Sequence, residues 1–216
     1  MVTRKARYTF ADLLTMPEAN EWIYEILGGE LVVFSSPNTA HGAAVMATAG
    51  ICLEAQQKGF GLVFTAPCAV AFDYAERGLQ AQDVTHPDVL FIRAARRSII
   101  GEQCIEGAPD LVVEVLSRST RSLDLPGGRK FAIYERYGVP FYWVVDLVAQ
   151  TVAQYTWHEG RYGEAVVLHA GDTLACSLFP GLSWDVDRLF AGIPRGVVGD
   201  ERADDEGLGG PTLARI

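Results

Sequence analysis

Two carboxylates and a lysine stand in this chain where their neighbours make them costly to keep. Glu114 interrupts Pro109-Asp-Leu-Val-Val-Glu-Val-Leu-Ser117, a run that otherwise reads as a strand buried on both faces. Alternation along that strand puts Asp110, Val112, Glu114 and Leu116 on one face. Burying a carboxylate there costs roughly several kcal/mol unless a cation or a metal pairs with it. Pairing with an arginine alone would make Glu114 structural. The second carboxylate is Asp88, which opens the β run of His86-Pro-Asp-Val-Leu-Phe-Ile92. By itself it is an ordinary solvated strand start. Together with Glu114 on a neighbouring buried strand it makes a hard-oxygen pair suited to Mg²⁺ or Mn²⁺.

Lys130 is the third group. The chain has only three lysines, and Lys5 and Lys58 fall at the N-terminus and at a helix end. Lys130 instead lies inside a helical stretch that leads to Tyr134 and Tyr137. Residues 117–137 carry five cations against two acids, so this stretch is net positive in a chain of formal charge −9. A solvated helix face would carry the same charges, and charge alone leaves both readings open.

The elements that must position these groups follow from pattern. Thr9-Phe-Ala-Asp12 is a capping-box signal for a short first helix. Residues 22–27 and 30–34 flank Gly28-Gly29 as a hairpin. A long helix over 40–58 has small and apolar residues at helical spacing and is closed by Gly59. Strands follow at 62–65 and 68–73, then a polar loop over 74–86 and strands at 89–92 and 111–116. After these come a helix over 129–137, a strand at 141–146, a second hairpin over 151–168, and a closing strand, turn and short helix over 174–190. Residues 191–216, rich in Gly, Pro, Asp and Glu, read as a disordered tail to a single domain over 1–190. The expected class is α/β, a central mixed sheet with helices against it.

Composition narrows the field. The chain has 216 residues, 49% hydrophobic and 21% charged, which suits one domain with a sizeable core. Acidity argues against a protein that coats nucleic acid, since phosphate binding draws on clustered Lys and Arg. No apolar run is long enough for a bilayer and no signal peptide is visible, so a cytoplasmic location is expected. Cys52, Cys68, Cys104 and Cys176 lie far apart, as reduced core residues would.

Taken in order, these motifs resemble a known family. Tyr24-Glu25-Ile-Leu-Gly-Gly-Glu30, Ser36-Pro37, His41, the Glu114 run to Ser117, Ser119-Thr-Arg121, Asp124, Lys130, Tyr134, Gly138-Val-Pro-Phe-Tyr-Trp-Val-Val-Asp146 and Ser177-Leu-Phe-Pro-Gly-Leu182 are similar to the Uma-type family of putative restriction endonucleases, within the PD-(D/E)xK nuclease superfamily. The likeness spans about residues 8–190. It implies a restriction-endonuclease-like central mixed β-sheet flanked by α-helices, with additional β-hairpins. Asp88 matches the first metal-binding acid and Glu114 the second. The superfamily's usual lysine position is Leu116 here, and Lys130 in the following helix matches the family's replacement. Glu25 matches a further acid. His41, Ser117, Asp124 and Tyr134 match recurring positions, as possible supporting residues. Arg118 and Phe141 depart from the family's usual proline and glutamate, and the loop 125–129 is slightly long.

The resemblance implies Mg²⁺- or Mn²⁺-dependent hydrolysis of DNA phosphodiesters, and the acidity of the chain adds that DNA binding should be weak and strongly dependent on the divalent metal. A homodimer is expected from the two-fold character of duplex cleavage, with the hairpin at 151–168 as a contact surface. Two other readings remain at this stage. One is a decayed relative that binds nucleic acid or a protein without cutting. The other is a carboxylate pair acting on a sugar or other small molecule, which would call for an aromatic-lined cleft without a lysine. Tyr155, Trp157 and Tyr162 could line one, although aromatics on a hairpin more often pack.

Overall fold

A computed structural model describes residues 7–17, 22–35 and 38–193. The first helix, α1 (Phe10–Leu13), begins where the Asp12 carboxylate accepts from the Thr9 backbone N–H and hydroxyl. Strands β1 (Trp22–Leu27) and β2 (Glu30–Ser35) pair antiparallel across Gly28 and Gly29, whose φ values of 64° and 77° only glycine adopts freely. Helix α2 (Thr39–Gln57) is capped by Asn38, whose side chain accepts from the His41 backbone N–H at 2.9 Å. Its small buried face, including Ala40, Ala44, Ile51, Cys52 and Ala55, lets the helix lie close to a sheet.

The remaining elements in chain order are β3 (Gly61–Thr65), β4 (Val70–Ala71), α3 (Tyr74–Arg77), β5 (Val84–Thr85), β6 (Val89–Arg93), β7 (Leu111–Val115), α4 (Arg121–Asp124), α5 (Arg129–Arg136), β8 (Phe141–Asp146), β9 (Thr151–His158), β10 (Arg161–Tyr162), β11 (Val166–His169), β12 (Thr173–Ala175) and β13 (Ser183–Asp185). The central sheet runs β10-β9-β8-β7-β6-β3, with β11 also on β9. Only β7 and β8 are parallel, and α4 and α5 form the crossover between them. The sheet is therefore mixed, as expected. A second sheet, β2-β1-β5-β4, lies beside it, and β12 pairs β13.

One face of the central sheet packs under α2, burying Val89, Phe91, Val113, Val115 and Trp143 with Phe179 and Trp184. The other packs under α5, burying Leu90, Val112, Leu116, Tyr134, Tyr142 and Val144. Strand β7 thus feeds alternate residues into both layers, which is why its sequence is apolar throughout except at Glu114.

The polar loop expected over 74–86 is a correction. That segment holds α3 and β5, and Asp83, Val84 and Thr85 are buried. A two-residue strand has no period to read, and its burial comes from β1 and β4 on either side. At the other end Ile193 packs in the core, beyond the expected domain limit at 190, and residues 194–216 lie outside the described residues. No helix among the described residues is long and apolar enough to cross a membrane.

Candidate active site

Helix α5 is preceded by its N-cap Gly128, where a side-chain Cβ would come within 2.2 Å of the Leu123 carbonyl. That close approach of the α4 backbone to the cap of α5 fixes where the helix carrying Lys130 begins. From there Lys130 Nζ lies 2.8 Å from Glu114 Oε1, 3.4 Å from Glu25 Oε1 and 3.6 Å from Asp124 Oδ1. All four side chains are at most 3% exposed. The partner that Glu114 requires is thus a lysine rather than an arginine. Tyr134, one turn along α5, donates its hydroxyl to the same Glu114 oxygen and contacts Thr85 Oγ1 at 3.3 Å.

Asp88 belongs to the adjoining part of the site. The β6–β7 register pairs Val89 with Val113, so continuing it by one place sets Asp88 opposite Glu114. Residues directly opposite in an antiparallel pair have Cα atoms about 5 Å apart. Asp88 Oδ2 accepts from the Val115 backbone N–H at 2.8 Å and lies 3.2 Å from His41 Nε2. His41 Nε2 is also 3.0 Å from the Val115 carbonyl. Glu25 is held on its other side by the His86 backbone N–H at 2.8 Å.

The electrostatics follow from three acids crowding one ammonium. Burial pushes the Glu114 carboxyl well above its ordinary range, against the pull of Lys130, and Asp124, Asp88 and Glu25 push it further. Burial likewise raises Asp124 despite Lys130. Burial would lower Lys130, but Glu114, Glu25 and Asp124 together hold its ammonium well above the usual range. Lys130 therefore keeps its proton in this cluster. Tyr134 is raised well above its ordinary value by burial and by Glu114, so it remains a donor. For His41, burial is outweighed by the hydrogen bond and charge of Asp88, and the net shift is upward.

The described buried side-chain atoms that lack a hydrogen-bond partner concentrate here. They are Glu25 Oε2, His41 Nδ1, His86 Nδ1 and both Asp124 carboxylate oxygens, with only Thr48 Oγ1 elsewhere. Buried polar groups are normally satisfied, so such a concentration marks a place that takes a further species. Among the described residues, no group of three or more His, Cys, Asp or Glu side chains is arranged as it stands to hold a metal ion. The donor chemistry nevertheless fits a hard divalent cation, because Asp88, Glu114 and the Val115 carbonyl present only oxygen on adjoining positions.

Residues 10–187 match the Uma2 family, described as "Putative restriction endonuclease". The chain belongs to that family. Among solved structures, the Uma2 chain is similar to a putative nuclease belonging to DUF820 from Anabaena variabilis, with a TM-score of 0.64 and 18% identity over 85% of this chain and 97% of that one. No curated protein matches it. The shared fold agrees with the restriction-endonuclease-like sheet expected for an Uma2 protein.

Of the residues singled out from sequence, the fold gathers Asp88, Glu114, Lys130, Glu25, His41, Asp124 and Tyr134 at one site through the contacts above. Ser117 does a different job: its hydroxyl lies 3.1 Å from both Ser119 Oγ and Thr120 Oγ1, closing the turn after β7. Two contributors escaped notice, Thr85 and the His86 backbone. The His86-Pro-Asp88 motif carried the signal for the second, but its histidine N–H does the work and backbone donors leave no mark in composition. The aromatics Tyr155 and Tyr162 pack with Phe131 and Tyr142 at ring separations of 5.2–6.0 Å rather than lining a cleft. With Lys130 beside the carboxylates, the sugar-hydrolysing arrangement has lost both of its marks.

Proposed function

We propose that this Uma2 protein is an Mg²⁺- or Mn²⁺-dependent endonuclease that hydrolyses phosphodiester bonds in DNA. The observation that carries the reading is the convergence of Glu114, Glu25 and Asp124 on the Lys130 ammonium beside Asp88. Such a group of acids around one lysine at the end of a buried sheet has no need to exist for stability, since burying it is costly.

Asp88 and Glu114 would hold the cation, with the Val115 carbonyl as a backbone ligand. A bound divalent cation lowers the pKa of water and offsets charge that grows on the phosphate. Lys130 keeps its proton, held by three carboxylates, and its Nζ orients the attacking water or neutralises the pentacovalent transition state. Glu25, with Oε1 taken by the His86 N–H and Oε2 without a partner, would bind through a water or help take up its proton. Tyr134 and Lys130 fix the Glu114 carboxylate from one side. The chain's formal charge of −9 makes DNA affinity weak and dependent on the divalent cation.

The test is cleavage of plasmid DNA by purified protein with Mg²⁺ or Mn²⁺. Cleavage that stops on chelation and is lost in Asp88→Ala and Glu114→Ala is expected. Absence of cleavage by the wild type, or undiminished cleavage by both variants, removes the proposal. A binding protein without activity would retain DNA affinity in all three.

A further inference from the structure

Val115 is the residue where the β6–β7 ladder runs out of donors. The paired register ends at Val89 opposite Val113, and carried two places past that end it would set Pro87 opposite Val115. Proline has no N–H, so nothing at that position can donate to the Val115 carbonyl. The structure fills the gap with side chains. The Val115 N–H donates to Asp88 Oδ2 at 2.8 Å, and the Val115 carbonyl lies 3.0 Å from His41 Nε2. His41 Nε2 is at the same time 3.2 Å from Asp88 Oδ2.

Both neighbours of Nε2 are acceptors, so Nε2 carries a proton that it shares between them. His41 is itself fixed. It lies in the first turn of α2, its own backbone N–H is tied to the Asn38 cap, and only 7% of it is exposed. Its ring therefore closes a small circuit: ring N–H to carbonyl, the same residue's N–H to the carboxylate, and the carboxylate back to the ring. Asp88 Oδ2 receives both donors, which sets the rotation of the carboxylate and leaves Oδ1 as the oxygen open to another species.

We propose that His41 is a positioning residue for divalent-cation binding: it stands in for the N–H that Pro87 lacks and locks Asp88 and the Val115 carbonyl in one orientation. It rests on the metal-dependent reading above and extends it to a residue for which that reading had no role. His41 needs no contact with the reacting atoms. It acts on the cation through two oxygens that it holds, as residues hydrogen-bonded to metal ligands do elsewhere.

The test is Mn²⁺ binding by calorimetry and by the spin resonance of the bound ion, on the full chain and its His41→Gln, His41→Asn and His41→Ala variants. Each protein's unfolding temperature without metal is measured alongside. A glutamine amide reaches about as far as Nε2 and can donate, whereas asparagine is too short and alanine has no donor. Expected is a loss of about 10- to 100-fold in Mn²⁺ affinity for Ala and Asn, with Gln recovering most of it. The DNA cleavage constant kcat should follow the same order at little changed KM for DNA. Wild-type affinity in folded His41→Ala or His41→Asn overturns the positioning role and leaves the nuclease reading standing. Equal loss in Gln, Asn and Ala overturns it too, since a donor would then not be what matters. If His41→Ala does not fold, the Gln and Asn pair decides in the same way. Wild-type protein that binds no Mn²⁺ removes the metal reading, and the positioning role with it.

Discussion

Lys130 Nζ and Glu114 Oε1 are 2.8 Å apart in a site where neither side chain is more than 3% exposed. Glu25 and Asp124 take the remaining sides of the ammonium. Removing the lysine leaves three buried acids without a cation. Lys130→Met should lose about 3–5 kcal/mol of stability, the usual cost of stranding buried charge. Glu114 and Asp124 already have raised folded-state pKa values, so stability from their protonated forms is present at acid pH and is lost as pH rises. The variant's deficit should therefore be larger at about pH 8 than at about pH 5. Urea unfolding at both pH values measures it, and an equal deficit at both would contradict the arrangement.

Asp124 is fully buried, and neither carboxylate oxygen has a hydrogen-bond partner. Its raised pKa means that the folded state resists ionisation, so ionised Asp124 works against the fold at neutral pH. Asp124→Asn cannot ionise and should raise the unfolding temperature near neutrality by about 2–4 °C, the shift of roughly 1 kcal/mol in a domain of this size. The gain should shrink towards the ordinary aspartate range, where the wild-type acid is protonated in both states. Cleavage should fall, because Lys130 loses one of the groups that hold it. A calorimetric melt showing the variant less stable at every pH would refute the reading.

Tyr134 donates to Glu114 and also packs its ring on Phe72 and Tyr142. Tyr134→Phe keeps the packing and removes the donor. Stability should change by about 1 kcal/mol, while cleavage should fall about 10- to 100-fold because a metal-holding carboxylate loses its orientation. Melting curves and initial rates on the same preparation separate the two effects. A variant that melts far lower with the same loss in rate would make Tyr134 merely structural.

Cation binding should also depend on pH in one direction. Glu114 must ionise to ligate, and its carboxyl is raised well above the ordinary range by burial and neighbouring acids. Mn²⁺ affinity should climb as pH rises above that range, with proton release on binding. Calorimetry in buffers of different ionisation enthalpy counts the protons. Affinity independent of pH across that interval would show that Glu114 is ionised before the cation arrives.

Part of this site is legible in the chain alone. Glu114 stands out because a charge inside an apolar strand run has no inexpensive explanation, and alternation alone puts it with Val112 and Leu116, which the fold buries in the same layer. Lys130 stands out because lysines are scarce and this one lies mid-helix. The long helix, the first hairpin and the mixed sheet follow from periodicity and turn residues. Strand β5 is too short for a period, yet it supplies Thr85 beside Tyr134.

Residue type, burial pattern and capping act over a few neighbouring positions, so the groups that could react and the elements that carry them can be read along the chain. How those groups meet is a matter of the fold. His41 touches the Val115 carbonyl across 74 positions of chain, and His86 holds Glu25 across 61. Such contacts depend on strand register and on the approach of two helices to one end of the sheet, and a register is a property of paired strands rather than of either one. Pro87 shows the division most plainly: a single missing N–H is written in the sequence, but only the pairing of β6 with β7 says which carbonyl goes without it and that His41 is the residue that answers.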